Sequence, residues 1–401
     1  MGTVGAKKIA LVASFPPPYF GGMQSHAAEF FRHFYAKGLC KAFIVSKGGS
    51  LQEARKVQGF LNSGLVDELR QGSASDSSAI AGKIRENSLQ SGIIFFNSPH
   101  WMRCFESLKS EFPSIRVFLR SGGNDLLQAG FIQDGASLKS RQEEVARTIN
   151  RHVDALIVNS QYSKARFEKM GIAPEKMKVI MGGVDCTRFR PGTGLEKSAA
   201  RKMMGVPQED ILILSAVRFV PFKSVGTTIK AVETANDMLG GKISFVLAGN
   251  GPLEAKIRAK AEKTGLDGKL VLANTIPFQR MQVAYWTADI YLQSPIEHSE
   301  QVRGGAYVHT ETMGRSFCEA AASGIPSVST AVGGVPEIID DGRTGFLADQ
   351  MDVAGLGAKI VAAAEGLKNG AAGMLARAKA ELQFSWDKVF WEYERLFFRG
   401  G

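Results

Sequence analysis

The sequence predicts an α/β protein built as two doubly wound parallel-sheet domains, and three observations point there. The chain has 401 residues, more than one hydrophobic core usually organises. Short apolar runs alternate with amphipathic helical stretches along most of its length, the pattern of a parallel sheet wound with helices. Its 44 glycines against 14 prolines suit many tight strand-to-helix turns rather than a low-complexity tail.

Taken in order, residues 8–14 form a short apolar strand, followed by a Pro/Gly loop through Gly21 and Gly22 and a helix from Met23 to Lys37. Further strands are expected at 42–46, 92–97, 116–120, 155–159 and 178–181, with helices between most of them. The serine-rich stretch 73–78 reads as a loop. After a linker at 190–194 the pattern restarts with a strand at 211–217, a helix at 225–239, a strand at 243–248 and a helix at 252–264. Strands at 270–273 and 290–293, a helix ending near Gly324, a strand at 326–329 and closing helices complete the chain. The expected domains are therefore 1–190 and 191–384, with a terminal helix over 385–401. Two Rossmann-like domains follow, with ligands expected beyond the carboxyl ends of the strands, in the cleft between them.

Composition narrows the function classes. Apolar residues make up 44% and charged residues 22%, an ordinary folded mixture. No apolar run reaches the roughly 18–20 residues that span a bilayer, and the opening stretch lacks the apolar length of a signal peptide, so a cytoplasmic protein is expected. Cys40, Cys104, Cys186 and Cys318 are far apart, without a zinc or disulfide spacing, and read as small buried hydrophobes. The net charge of +10 is lopsided: residues 1–193 carry 26 Lys and Arg against 16 Asp and Glu, leaving 23 of each sign in residues 194–401. A basic half concentrates anions, such as an anionic substrate or an acidic bilayer surface. No nucleic-acid module accompanies the charge.

Several residues can carry chemistry. Gly21 and Gly22 stand between the first strand and its helix, where bare backbone amides can approach a phosphate. Arg218 follows an apolar strand and Lys223 comes just before the next helix, a pairing of cations that suits a diphosphate. The sharpest signal is Glu311-Thr312-Met313-Gly314-Arg315-Ser316-Phe317-Cys318-Glu319. Gly314 lets Glu311 sit in a loop and Glu319 in a helix, so the two acids can serve different hydroxyl groups. The amides of Arg315, Ser316 and Phe317 at the helix start can donate to phosphate or sugar oxygens.

With these motifs in place, the chain resembles the retaining glycosyltransferases of family 4, which have the GT-B architecture. The resemblance runs over nearly the whole chain. It is strongest from Val158 to Pro191 and from Ile211 to Leu347, including Gly333-Gly334-Val335-Pro336-Glu337. It implies that Gly21 and Gly22 touch the donor pyrophosphate, that Arg218 and Lys223 clamp it, that Glu311 holds the transferred sugar and that Glu319 binds the nucleotide ribose. Gly249, Asn250, Gly251 and Ile276 would lie by the base, and the last helix would cross back to the first domain. Many relatives carry a His-Gly-x-Asp type motif, and the matching stretch here runs from Arg120 to Asp125 without the histidine. That leaves His100, Asn124 and Asp125 as candidates on the acceptor or sugar side. The stretch 297–310 is longer than is usual ahead of the first Glu.

The resulting expectation is a metal-independent, retaining transferase. It takes its sugar from a nucleotide-diphosphate co-substrate and has no cofactor, and its acceptor is an anionic or lipid-diphosphate-linked hydroxyl at the inner membrane face. A catalytically silent nucleotide-sugar-binding subunit and a GT-B epimerase would keep the same binding residues. A Rossmann dehydrogenase is disfavoured because no full G-x-G-x-x-G follows the first strand.

Overall fold

The computed structural model describes residues 8–14, 22–46, 66–69, 75–87, 89, 91–96, 99–129, 136–266 and 269–399. The chain divides into two compact units.

The first unit holds a parallel sheet of β1 (Ile9–Ser14), β2 (Cys40–Ser46), β3 (Val66–Leu69), β4 (Gly92–Phe96), β5 (Arg116–Arg120), β6 (Ala155–Val158) and β7 (Met177–Val179). Their order is β3-β2-β1-β4-β5-β6-β7. β1 is central, with Leu11 opposite Phe43 of β2 on one side and Ile94 of β4 on the other. Every residue of β4 is buried, the continuous apolar run expected of a strand covered on both faces. Phe30, Phe31 and Phe34 of the helix Gly22–Ala36 are buried too. Phe30 meets Phe34 at 4.3 Å, Tyr393 at 5.0 Å and Phe96 at 5.3 Å between ring centroids. Trp101, Phe105 and Leu108 join the same unit's core. Both of these aromatic faces are thus covered by the unit's own residues.

The second unit repeats the plan with β8 (Ile211–Ala216), β9 (Ile243–Ala248), β10 (Leu270–Ala273) and β11 (Ile290–Leu292). A hairpin of β12 (His298–Val302) and β13 (Gly305–His309) follows, and β14 (Ser327–Thr330) and β15 (Gly345–Ala348) complete the sheet. The sheet order is β10-β9-β8-β11-β14-β15. Helices Val225–Met238 and Val353–Gly366 cover one face, burying Ile229, Val232, Leu356 and Ile360 against Phe245 and Leu247.

The units depart from the sequence-based limits in three places. The division falls after Met181 rather than near 190. Residues 182–190 pack with the second unit: Val184 N–H donates to Phe384 O at 2.8 Å, and Phe189 meets Tyr285 edge-on at 5.7 Å. The stretch 297–310 contains the hairpin just named, and its tip, Gln301–Tyr307, belongs to the first unit. There Leu138 N–H donates to Gly304 O at 2.9 Å, Gln128 donates to the Tyr307 hydroxyl at 2.5 Å, and Tyr307 enters the core. Residues 390–399 also belong to the first unit. His33 stacks on Phe390 at 4.0 Å, and the Tyr393 hydroxyl lies 3.2 Å from His26 Nε2.

The serine-rich segment expected as a loop is helical from Ser75 to Glu86. Serines suit the first turn of a helix, and Ile80 and Ile84, four apart, bury one face of it. Cys40, Cys104 and Cys318 are buried as expected, whereas Cys186 is half-buried. No helix among the described residues is long and apolar enough to cross a membrane.

Candidate active site

In a doubly wound sheet, ligands collect where the strand order reverses, beyond the carboxyl ends of the two central strands. In the second unit those strands are β8 and β11, which pair with Ile213 opposite Ile290. β8 leads to Arg218, which is exposed, and on to the short turn Pro221–Lys223. β11 leads directly to Gln293, which is buried. Across this point Lys223 Nζ donates to Gln293 Oε1 at 2.8 Å and forms an ion pair with Glu311. Gln293 Nε2 then donates to Ser316 Oγ at 2.6 Å and to the Tyr291 hydroxyl, which in turn donates to Ala216 O at 3.1 Å. One amide therefore links the lysine after β8, a serine in the first turn of a helix and, through Tyr291, the end of β8.

The two acids sit as the Gly314 argument requires. Glu311 is in the loop and Glu319 is in the helix Arg315–Ala322. Gly314 has φ of 83°, and a Cβ there would lie 2.5 Å from the Phe317 ring and 3.3 Å from Glu311 Cγ, so only glycine fits. Gly334 N–H fixes the Glu311 backbone from the other side, donating to its carbonyl at 3.0 Å. Glu319 is almost wholly buried and accepts from the Tyr285 hydroxyl at 3.1 Å, while that hydroxyl also lies 3.2 Å from Ser316 O. Burial pushes the Glu319 carboxyl above its ordinary pKa, opposed by the nearby Arg315 charge and the Tyr285 hydrogen bond.

The helix start is less open than the sequence suggests. Phe317 N–H already donates to Gly314 O at 3.0 Å, and its ring is fully buried against Tyr291 at 5.7 Å. Phe317 is therefore a packing residue rather than a ligand contact. Arg315 turns its guanidinium toward Trp386, 5.9 Å from the ring centroid. Ser316 contributes its side chain through Gln293.

The loop Gly249-Asn250-Gly251 leaves β9 beside Arg218: Val217 N–H donates to Ala248 O at 3.0 Å, and Phe219 N–H to Asn250 O at 2.7 Å. A Cβ on Gly249 would come within 1.8 Å of Val217 O, so close backbone packing demands glycine here. Ile276 follows β10, whose last residue, Ala273, pairs with Ala248, putting it on the next strand tip along the same edge.

In the first unit, Gly22 begins the helix Gly22–Ala36, while Gly21 and the His100 side chain lie outside the described parts. Asn124 Oδ1 accepts weakly from Arg166 at 3.4 Å. Asp125 is turned inward: Oδ1 accepts from Ser121 Oγ, from Gly122 N–H at 3.1 Å and from Gly123 N–H at 3.2 Å. Its carboxylate holds the turn together, and burial raises its pKa despite those bonds. Arg120, ahead of that turn, is buried and donates to Ile180 O.

Sequence reasoning missed Gln293 and Tyr285. Gln293 had a signal, since a polar residue directly after a three-residue buried strand stands at a strand tip. Tyr285 had none, because nothing local links it to Glu319, 34 positions away.

The comparisons with known proteins bear on this second unit first. The profile of glycosyl transferases group 1 matches residues 196–368. Over 388 residues, 95% of both chains, the protein is 24% identical to a GDP-mannose-dependent monoacylated alpha-(1-6)-phosphatidylinositol monomannoside mannosyltransferase of Corynebacterium glutamicum. Residues 196–368 thus match the glycosyl transferases group 1 family, and the chain has the GT-B fold. The fold of the chain is that of Anabaena HepE, solved in complex with UDP-glucose, with a TM-score of 0.75, 16% identity and coverage of 96% of this chain and 98% of that one. A glycosyltransferase from Rickettsia africae ESF-5 matches it with a TM-score of 0.76 and 16% identity, over 98% of this chain and 100% of the other.

Proposed function

We propose that the protein is a glycosyltransferase that moves a sugar from a nucleotide-diphosphate donor to an acceptor hydroxyl, with retention at the anomeric carbon and without a metal, in the assembly of a cell-surface polysaccharide or glycolipid. The observation that carries this reading is the joining of Lys223, Gln293, Glu311 and Ser316 at the β8/β11 strand tips, with Arg218 exposed alongside. Arg218 and Lys223 stabilise the charge that grows on the departing diphosphate, the work a divalent metal would otherwise do. The bond from the anomeric carbon to the phosphate oxygen breaks, and the acceptor oxygen bonds to that carbon from the same face. The acceptor proton passes to the leaving phosphate oxygen, giving a glycoside and a nucleoside diphosphate. Glu311 holds the sugar hydroxyls and Glu319 the ribose, with Tyr285 fixing the Glu319 carboxylate.

The relatives support the donor class. One is named for GDP-mannose and another was solved with UDP-glucose, so the donor is a nucleotide sugar of either base. The acceptor reading rests on charge: the excess positive charge lies in residues 1–193, and the Corynebacterium relative is named for a phosphatidylinositol monomannoside, a lipid whose phosphodiester is anionic. The test is transfer from UDP-glucose or GDP-mannose to a polyprenyl-diphosphate-linked sugar, in EDTA, with the product anomer read by NMR. A product of unchanged anomeric configuration formed at full rate in EDTA is expected. An inverted product overturns retention, and activity restored only by manganese overturns metal independence.

A further inference from the structure

The hairpin strand β13 ends on His309, two residues before Glu311, and no role has yet fallen to it. Its ring lies flat on Phe222, with centroids 4.1 Å apart and planes inclined by 19°. Phe222 is buried, its carbonyl accepts from Ile296 N–H at 2.8 Å, and Lys223 Nζ stands 5.6 Å from its centroid. A rigid aromatic base therefore joins the histidine to the lysine, and that lysine is paired with Glu311. His309 Nδ1 lies 3.7 Å from Glu300 Oε2.

We propose that His309 selects the transferred sugar, hydrogen-bonding one of its hydroxyls from a ring held flat on Phe222, near the ion pair of the diphosphate cation Lys223 and the sugar-holding Glu311. The proposal rests on the donor-site reading above. An imidazole pinned on one face can present a nitrogen in only a few directions, which is what discrimination between hydroxyl epimers needs. The ring's charge state suits a sugar more than a phosphate. Burial, the Arg218 charge and His298 lower its pKa, against the opposing pull of Glu300 and Glu311, so the neutral ring prevails at neutral pH. A neutral imidazole exchanges hydrogen bonds with a hydroxyl and adds little to the grip on a dianion.

The experiment compares wild type, His309→Ala and His309→Gln. Each is assayed with UDP-glucose, UDP-galactose, GDP-mannose and GDP-glucose, and each is also melted with UDP and GDP alone. In His309→Ala, kcat/KM for the preferred donor should fall about 10- to 100-fold, the loss of one good hydrogen bond. Its preference over the epimeric sugar should shrink by a similar factor, while the melting shift given by the bare nucleoside diphosphate stays the same. Gln, which keeps a hydrogen-bonding group, should recover part of the preference. An unchanged sugar preference in His309→Ala overturns the proposal, and so does a lost nucleoside diphosphate shift, which would mark a phosphate or structural role. Wild type that responds to no nucleotide or nucleotide sugar overturns the donor-site reading itself, and the proposal with it.

Discussion

The two units share a sheet plan and use its strand tips differently. In the first, the polar residues at and after the end of β5 are held mainly by the backbone: Asp125 accepts from the turn 121–123, and Arg120 donates to Ile180 O. In the second, the polar residues after β8 and β11 are tied mainly to one another, Lys223 to Glu311 and Gln293, and Gln293 to Ser316. Side chains bound to backbone shape a loop and become costly to change. Side chains bound to other side chains can exchange those partners for a ligand's oxygens at little net cost. On the proposed function, the difference separates a tip built for stability from one built for chemistry.

The largest expected effect breaks the second set directly. Lys223→Met should lower kcat by about 100- to 1000-fold, the size of loss seen when one preorganised charge-stabilising donor is removed from an enzyme site, as read in steady-state kinetics on folded protein. Gln293→Leu should follow, lowering kcat/KM by about 10-fold or more, because Lys223 and Ser316 lose their common partner. Gln293→Glu, which keeps an acceptor for Lys223 but no donor for Ser316, should fall between wild type and Gln293→Leu.

In the first unit the same kind of change should act on stability instead. Asp125→Ala leaves Ser121 Oγ and the amides of Gly122 and Gly123 without their shared acceptor. It should cost about 1–3 kcal/mol, visible as a lowered melting temperature, while the shift produced by a bound nucleoside diphosphate is preserved. Loss of that shift with no change in stability would erase the contrast between the units.

The smallest effect sharpens the comparison through Glu319. Its raised pKa means that the folded state holds the proton more tightly than the unfolded chain. Its contribution to stability is complete below the ordinary carboxylate pKa and is lost as pH rises through the raised value. Glu319→Gln has no such loss. The variant should melt higher than wild type near pH 7.5 and no higher near pH 4. It should also bind donor more weakly, trading function for stability. Equal melting at both pH values would remove the case for a strained buried acid.

Much of this was legible in the sequence because the signals are local. The apolar runs of β1, β4, β8 and β9 announce strands buried on both faces, and the glycine at 314 separates a loop acid from a helical one. What could not be read depends on distant partners. β3 is a four-residue strand, Val66-Asp67-Glu68-Leu69, whose two acids hide it from any apolar pattern. The hairpin at 298–309 is largely polar, so its strands are set by pairing and by the burial of Tyr307 rather than by periodicity. Asp125 looked like a ligand residue because a carboxylate at a strand tip often is one, and only its three hydrogen bonds show that the turn already holds it.

The most direct test is calorimetric titration of UDP and of GDP into wild type, Lys223→Met and Asp125→Ala. The account predicts that at least one nucleotide binds wild type and Asp125→Ala alike, and binds Lys223→Met at least 10-fold more weakly. Binding that survives intact in Lys223→Met, or no binding to wild type by either nucleotide, would contradict it.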